Sequence, residues 1–326
     1  MMETAIKIQN LNKSFGKKHI IKDLSMELKA GEVFGFLGPN GAGKTTTIKM
    51  IVGMLHLESG SIEVCGVDVE KDFEKAMANI GAIVENPEMY KYLTGMDNLK
   101  QYARMRKGVT KERIDEVVEL VGLSNRINEK VKKYSLGMRQ RLGVAQAILH
   151  KPKVLILDEP SNGLDPAGIK QLRDILKNLA HNEGVCVLVS SHLMSEMELM
   201  CDRVGIIAEG KLLDIKTIDD MTRAVTADVN VIAYHVTDAS KAKEIVDEYV
   251  AALDIDEESK TIYKFNVQDN EHFDVEFPVQ IVDELWKLNK KLAMADVGLI
   301  SICPQENRKL EDVFIEMTAN GGDQIA

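Results

Sequence analysis

The chain has 326 residues, 45% of them hydrophobic and 28% charged, enough for a large core and an ordinary globular composition. A formal net charge of -10 argues against a broad basic surface for phosphate backbones, so nucleic acid is not expected as the principal ligand. Cys65, Cys186, Cys201 and Cys303 lie far apart without metal-ligand spacing and read as reduced cytoplasmic thiols; the N-terminus carries no apolar signal core, and no apolar run approaches the roughly 20 residues that cross a bilayer.

In chain order, strand-like runs at Ile6 to Leu11 and Ile20 to Leu28 lead to Glu32 to Leu37, which stops at Gly38-Pro39. Thr45 to Leu55 is helical in composition, so the order here is strand, glycine-rich loop, helix. Ser61 to Val69 reads as strand and turn. Glu88 to His150 reads mainly as helices, with periodicity at Asn98 to Lys107 and Lys111 to Val121, a stop at Gly122, and a further helix over Arg139 to His150. Val154 to Leu157, Val185 to Ser190 and Val204 to Ala208 are continuously apolar, as strands of a parallel sheet covered on both faces are. The pattern loosens around Lys216 to Thr226. Beyond it come a strand at Val229 to Val236, a helix at Ala239 to Leu253, a strand at Thr261 to Val267 and a helix at Val279 to Leu292, a small α+β domain from about residue 219. No internal repeat or low-complexity tract is present.

"GPNGAGKTT", Gly38 to Thr46, fits GxxxxGK[ST]. Its glycines let backbone N–H groups close on phosphate oxygens, Lys44 reaches the β- and γ-phosphates, and Thr45 binds Mg²⁺. The strand before it and the helix after it weigh against a chance glycine-rich turn. "VLILDEP", Val154 to Pro160, puts two carboxylates at the end of a buried strand: Asp158 to support Mg²⁺, and Glu159 to orient or deprotonate an attacking water. The next buried strand ends at Ser190-Ser191-His192, and parallel strands deliver their C-terminal ends to one crevice. His192 therefore reads as a γ-phosphate sensor, against the alternative of a surface or capping histidine.

"YSLGMRQRLGVAQAIL" has two readings. Ser135 is a helix N-cap, or Ser135 and the Gly137 N–H form a second anion site. Together with "SNGLDP" and "SSH", in this order from about Ile6 to Asp214, these motifs resemble the ATP-binding cassette (ABC) transporter ATPases. The resemblance implies an α/β fold: a P-loop ABC ATPase domain over residues 1–218, with a RecA-like parallel sheet core, an antiparallel β subdomain and a helical subdomain at about 86–150. A small α+β domain over 219–326 follows. It also implies a head-to-tail dimer, of identical or different ATPase subunits, that holds two ATP molecules. One protomer supplies Gly38, Pro39, Asn40, Gly41, Ala42, Gly43, Lys44, Thr45 and Thr46, and the other supplies Ser135 and Gly137.

In that family Asp165 communicates across the interface and an aromatic residue, here best matched by Phe15, stacks on adenine. "SLGMR" departs from the commoner Ser-Gly-Gly-Gln, which leaves Gln140 open as a contact. At "AIVENPEMY", Glu85 stands where most members carry a Gln that touches the metal site. Either its charge bears on the metal, or it is a substitution of little consequence. Val84 to Pro87 with Tyr92 to Thr94 resembles the subgroup that exports bacitracin or confers immunity to lantibiotics, and "LEDVFIEMT", Leu310 to Thr318, resembles the ending of export-type subunits. The expected function is an ATP-hydrolysing subunit, peripheral at the cytoplasmic face of the membrane, that powers export through separate transmembrane permease subunits. The alternatives are a soluble mechanical ATPase acting on ribosomes or nucleic acid, and a nucleotide sensor with little turnover.

Overall fold

The structure is a computed structural model that describes residues 3–226, 229–253, 263–278, 285–295 and 297–304, with residues 310, 311, 314 and 318. The chain divides into two compact units, Met1–Ile218 with Phe314–Ala326, and Asp219–Val313. The division places Phe314–Ala326 with the first unit, whereas a single break at residue 218 would put it with the second.

The first unit opens with an antiparallel sheet. β1 (Thr4–Phe15) buries Ile6, Ile8 and Leu11 and pairs with β2 (Lys18–Lys29) on one edge and β4 (Ser59–Val64) on the other. β4 turns at Cys65-Gly66 into β5 (Val67–Asp68), and both turn residues have positive φ, 50° and 76°, as a two-residue hairpin requires.

The second sheet has six strands in the order β10-β9-β3-β8-β7-β6. β3 (Val33–Leu37), β6 (Ile80–Ile83), β7 (Val154–Asp158), β8 (Cys186–Ser191) and β9 (Arg203–Ala208) run parallel, and β10 (Lys211–Thr217) closes one edge antiparallel to β9. β3, β7 and β8 are buried at every position, which is why their sequences run apolar without alternation. Two further helices accompany this sheet, α6 (Pro166–His181) and α7 (Met194–Met200). α7 lies directly on β3: a Cβ at Gly35 would stand 2.6 Å from Met197 Sδ and 2.9 Å from Cys201 Sγ.

Local chemistry sets the helix ends. α1 (Lys44–Ile51) stops at Ile51 rather than Leu55, because Gly53 (φ 70°) closes a Schellman motif in which the Met54 N–H reaches Lys49 O at 2.8 Å and the Gly53 N–H reaches Met50 O at 3.1 Å. α3 (Gly95–Arg104) starts earlier than Asn98, because Thr94 Oγ1 accepts from the Asp97 N–H at 3.0 Å. α5 (Leu136–Ile148) likewise begins at Leu136 rather than Arg139, behind its Ser135 cap. Between them lies α4 (Lys111–Leu120). The Arg113 guanidinium on Ile148 O and Leu149 O, and the Arg141 guanidinium on Val121 O and Gly122 O, tie α4 and α5 together. A short helix α2 (Phe73–Met77) precedes β6. The stretch from Lys216 to Thr226, which looked loose, completes β10 and forms α8 (Ile218–Thr226).

In the second unit the described order is β11 (Val229–Val236), α9 (Ala239–Ala251), β12 (Lys264–Val267), β13 (His272–Pro278), α10 (Leu285–Met294) and β14 (Leu299–Pro304). The strands are antiparallel in the order β12-β13-β11-β14, a split βαβ arrangement of ferredoxin type. Tyr234, Val236, Phe273, Val275 and Phe277 form its core with Val246 and Tyr249 of α9 and Leu288 and Leu292 of α10. The expected strand start at Thr261 and the helix start at Val279 lie outside the described residues. β13 and β14 had no counterpart in the sequence reading.

Candidate functional site

Parallel register brings three strand ends together: Leu37 pairs with Ser191, and Asp158 pairs with Ser190. The loop from β3 to α1 stays close to the sheet because Gly38 has no side chain, since a Cβ there would lie 2.3 Å from Ile207 O. Gly41 and Gly43 take φ of 84° and 112°, a region that L side chains occupy only with strain. Pro39, Asn40 and Ala42 complete the turn, and Thr47 Oγ1 donates back to Gly43 O at 3.0 Å.

Lys44 opens α1 and is only 5% exposed. Its Nζ donates to Gly38 O at 2.6 Å and Pro39 O at 3.3 Å, and sits 3.4 Å from Glu159 Oε1. Burial holds the Lys44 ammonium below the ordinary lysine range, while Glu159 and then Asp158 act in the opposite direction. Lys44, Thr45, Thr46, Asn40, Gly41, Gly43 and Glu159 line a cavity of about 310 Å³, closed on one side by Phe15, Lys18 and Ile20. Phe15 is 52% exposed, with Lys13 Nζ over its ring 5.5 Å from the centroid.

β7 delivers both carboxylates, and they point to different partners. Asp158 is buried and accepts from Ser190 Oγ at 2.6 Å. Glu159 has φ 49°, a left-handed backbone that turns its side chain toward Lys44. Its Oε2 lies 2.7 Å from His192 Nδ1 and accepts from Asn162 Nδ2 at 3.1 Å. The structure thus puts the glycine loop, Phe15 and Glu159 on one cavity, with Asp158 buried beside Ser190 and His192 held against Glu159.

Four further expected residues lie off that cavity wall. Ser135 caps α5 by accepting from the Met138 N–H at 3.2 Å, and Gly137 faces Leu164, with a built Cβ 3.7 Å from its Cδ2. Asp165 caps α6 by accepting from the Gly168 N–H at 3.0 Å. Gln140 is 3% exposed, with its Oε1 unpartnered among the described residues. Glu85, also off the cavity wall, has φ 65° and pairs with Lys49 at 2.8 Å, and this contact holds its carboxyl below the usual range.

Sequence reasoning missed the hydroxyls behind the site. Ser190 bridges Asp158 and Glu159, while Ser191 Oγ, at 2.8 Å, and Ser161 Oγ both donate to Glu196 of α7. Their signal was the polar pair ending an otherwise apolar strand in register with the Asp-Glu pair.

A cradle of N–H groups ahead of a buried lysine, with paired carboxylates at the end of a parallel strand of the same sheet, defines a P-loop nucleotide-hydrolysing fold. Residues 21–162 match the ABC transporter family. The uncharacterized ABC transporter ATP-binding protein YhcH of Bacillus subtilis (strain 168) is 62% identical over 67% of this chain and 72% of its own length. The bacitracin transport ATP-binding protein BcrA of Bacillus licheniformis is 38% identical over 98% of this chain and 99% of its own. A solved ATP-binding subunit of an ABC transporter superposes with TM-score 0.60 at 28% identity, over 68% of this chain and 92% of that one. The chain belongs to the ATP-binding subunits of ABC transporters. It binds and hydrolyses ATP, and subunits of this class dimerise and work with membrane permease subunits. Among the described residues no helix is long and apolar enough to cross a membrane.

Proposed function

We propose that this subunit powers export of an antimicrobial peptide of the bacitracin type, from the cytoplasmic face of the membrane, through separate permease subunits. The observation that carries this reading is the extent of the match to the bacitracin transport protein, 98% of this chain, which runs through both units. It favours a transporter over a soluble ATPase acting on ribosomes or nucleic acid.

In this reading the glycine-loop N–H groups and Lys44 hold the β- and γ-phosphates, and Phe15 stacks on adenine. The Thr45 hydroxyl and the buried Asp158 carboxylate are hard oxygen donors, a set that fits Mg²⁺, which takes one or two protein oxygens beside phosphate and water. When bound, the cation would neutralise charge on the phosphate oxygens. Glu159 orients a water and takes its proton as the water oxygen bonds to the γ-phosphorus and the bond to the β-phosphate oxygen breaks, giving ADP and inorganic phosphate. Lys44 and His192 share the Glu159 carboxylate in the structure, so an arriving γ-phosphate that draws Lys44 away releases Oε1 for water while His192 and Asn162 keep Oε2. Ser135 and Gly137 lie off the cavity because they serve the partner's nucleotide across a dimer interface, with Asp165 beside them. Glu85, paired with Lys49, is the third residue proposed to bear on the cation beside Thr45 and Asp158.

Glu159→Gln should bind MgATP yet lose hydrolysis by at least about a hundredfold, the scale of a lost general base. Trapped with MgATP in its native host and gently solubilised, it should co-purify with a polytopic membrane protein in comparable amount. Only ribosomal or nucleic-acid partners would overturn the transporter reading. Unchanged bacitracin sensitivity after gene deletion would remove the peptide.

A further inference from the structure

We propose that Ser190 is a positioning residue for ATP hydrolysis: its hydroxyl bridges the Asp158 side chain and the Glu159 backbone and fixes the two carboxylates relative to one another. The inference rests on the assignment of Asp158 to the cation and Glu159 to the water.

Ser190 lies on β8, directly opposite Asp158 of β7, and is fully buried. Its Oγ donates to Asp158 Oδ1 at 2.6 Å and accepts from the Glu159 N–H at 2.9 Å. A hydroxyl has a single proton to give, so with that proton on the carboxylate its lone pair is left for the amide, and the direction of both bonds is fixed. The bridge commits one Asp158 oxygen to the protein and leaves the other for a cation. It also ties down the amide of a residue at φ 49°, a backbone conformation that a long side chain keeps only when its surroundings over-determine it. Without the hydroxyl, a buried carboxylate oxygen and a part-buried N–H both lose their partner. Asp158 is then free to turn, and Glu159 is free to relax away from Lys44 and His192. Groups that orient metal-side ligands in this way typically change metal affinity or activity by about 10–100-fold when removed.

The test uses the full chain with Ser190→Ala and, to keep the hydroxyl, Ser190→Thr. Mn²⁺ binding in the presence of a non-hydrolysable ATP analogue is read by electron paramagnetic resonance, beside kcat, metal-free nucleotide affinity and thermal melting. Ser190→Ala should weaken Mn²⁺ binding and lower kcat by about tenfold or more each. Its metal-free nucleotide affinity should stay within about twofold, and Ser190→Thr should restore most of both losses. Mn²⁺ affinity and kcat within twofold of wild type in the alanine variant would overturn the proposal. So would a parallel loss of metal-free nucleotide affinity, which marks a packing role, or a threonine variant as impaired as alanine. Should Ser190→Ala not fold, Ser190→Cys, which keeps the volume and a weak donor, carries the same expectation in reduced size. Asp158→Asn and Glu159→Gln are measured alongside. If they leave Mn²⁺ binding and hydrolysis intact, the carboxylate assignment fails; if they act as expected and Ser190→Ala does not, Ser190 alone is wrongly placed.

Discussion

The six-stranded sheet of the first unit runs five neighbouring strands in one direction, whereas the four strands of the second unit alternate throughout. Parallel strands put every C-terminal end at the same edge, so Leu37, Asp158 and Ser191 arrive together with the loops that follow them. Antiparallel strands send successive ends to opposite edges and instead sort residues by face. Tyr234, Val236, Phe273, Val275 and Phe277 meet the helices, while His235, His272, Asp274 and Glu276 fall on the intervening positions. Chemistry concentrates at an edge in the first unit, whereas the described residues of the second form a core and a polar face. A substitution in the first should therefore strike turnover, and one in the second should strike stability alone.

The sharpest way to break this contrast is Ser135→Asp. The aspartate keeps the N-cap of α5 but places a negative charge where the partner's nucleotide is proposed to sit. Hydrolysis should fall by at least about a hundredfold, the scale of a lost phosphate-stabilising contact, with nucleotide affinity of the isolated monomer and the melting temperature nearly unchanged. Equal loss of monomer affinity would place Ser135 at its own chain's nucleotide. Next comes Phe273→Ala, which removes a fully buried ring stacked 5.0 Å from Tyr234 and 4.4 Å from Phe265. It should cost about 3–5 kcal/mol in urea unfolding of the second unit. ATP affinity should stay within about twofold, and a larger drop would show the units to be thermodynamically coupled.

The smallest effect belongs to His150. Burial, then Arg106, hold its imidazole below the ordinary 6.5, against the opposing pull of the Ile80 carbonyl. The unfolded chain then binds the proton more readily, so stability is full above about pH 6.5, falls as pH drops below that, and levels off once the folded-state value is passed. His150→Gln should flatten this slope in urea titrations from pH 5 to 8, and an unchanged slope would assign the acid sensitivity to other groups.

Much of the first unit was legible because its signals are local. Gly38, Gly41 and Gly43 are demanded by a close approach and two positive φ angles, and the uninterrupted apolar runs of β7 and β8 betray burial on both faces. The ends of helices were misjudged wherever a cap outweighed periodicity, as at Thr94 and Gly53. Ser190 and Glu196 escaped notice because their meaning lies in partners 31 and 35 residues away, brought near only by strand register and by the seat of α7 on β3. β13 went unread although Phe273, Val275 and Phe277 alternate with His272, Asp274 and Glu276, and β14, an edge strand with Ile300 57% exposed, shows little alternation to read.

The tight seat at Gly35 also bears on how this sequence can vary by descent. Any side chain there must push Met197 and Cys201 aside, and the helix that Met197 belongs to and Cys201 caps carries Glu196, to which Ser161 and Ser191 both donate close to the paired carboxylates of β7. The change from glycine to alanine, a single nucleotide in the gene, would thus reach the ATP site by way of α7 without touching a residue of the phosphate loop. Lineages are accordingly expected to retain glycine at position 35 as strictly as Lys44, the lysine proposed to meet the phosphate.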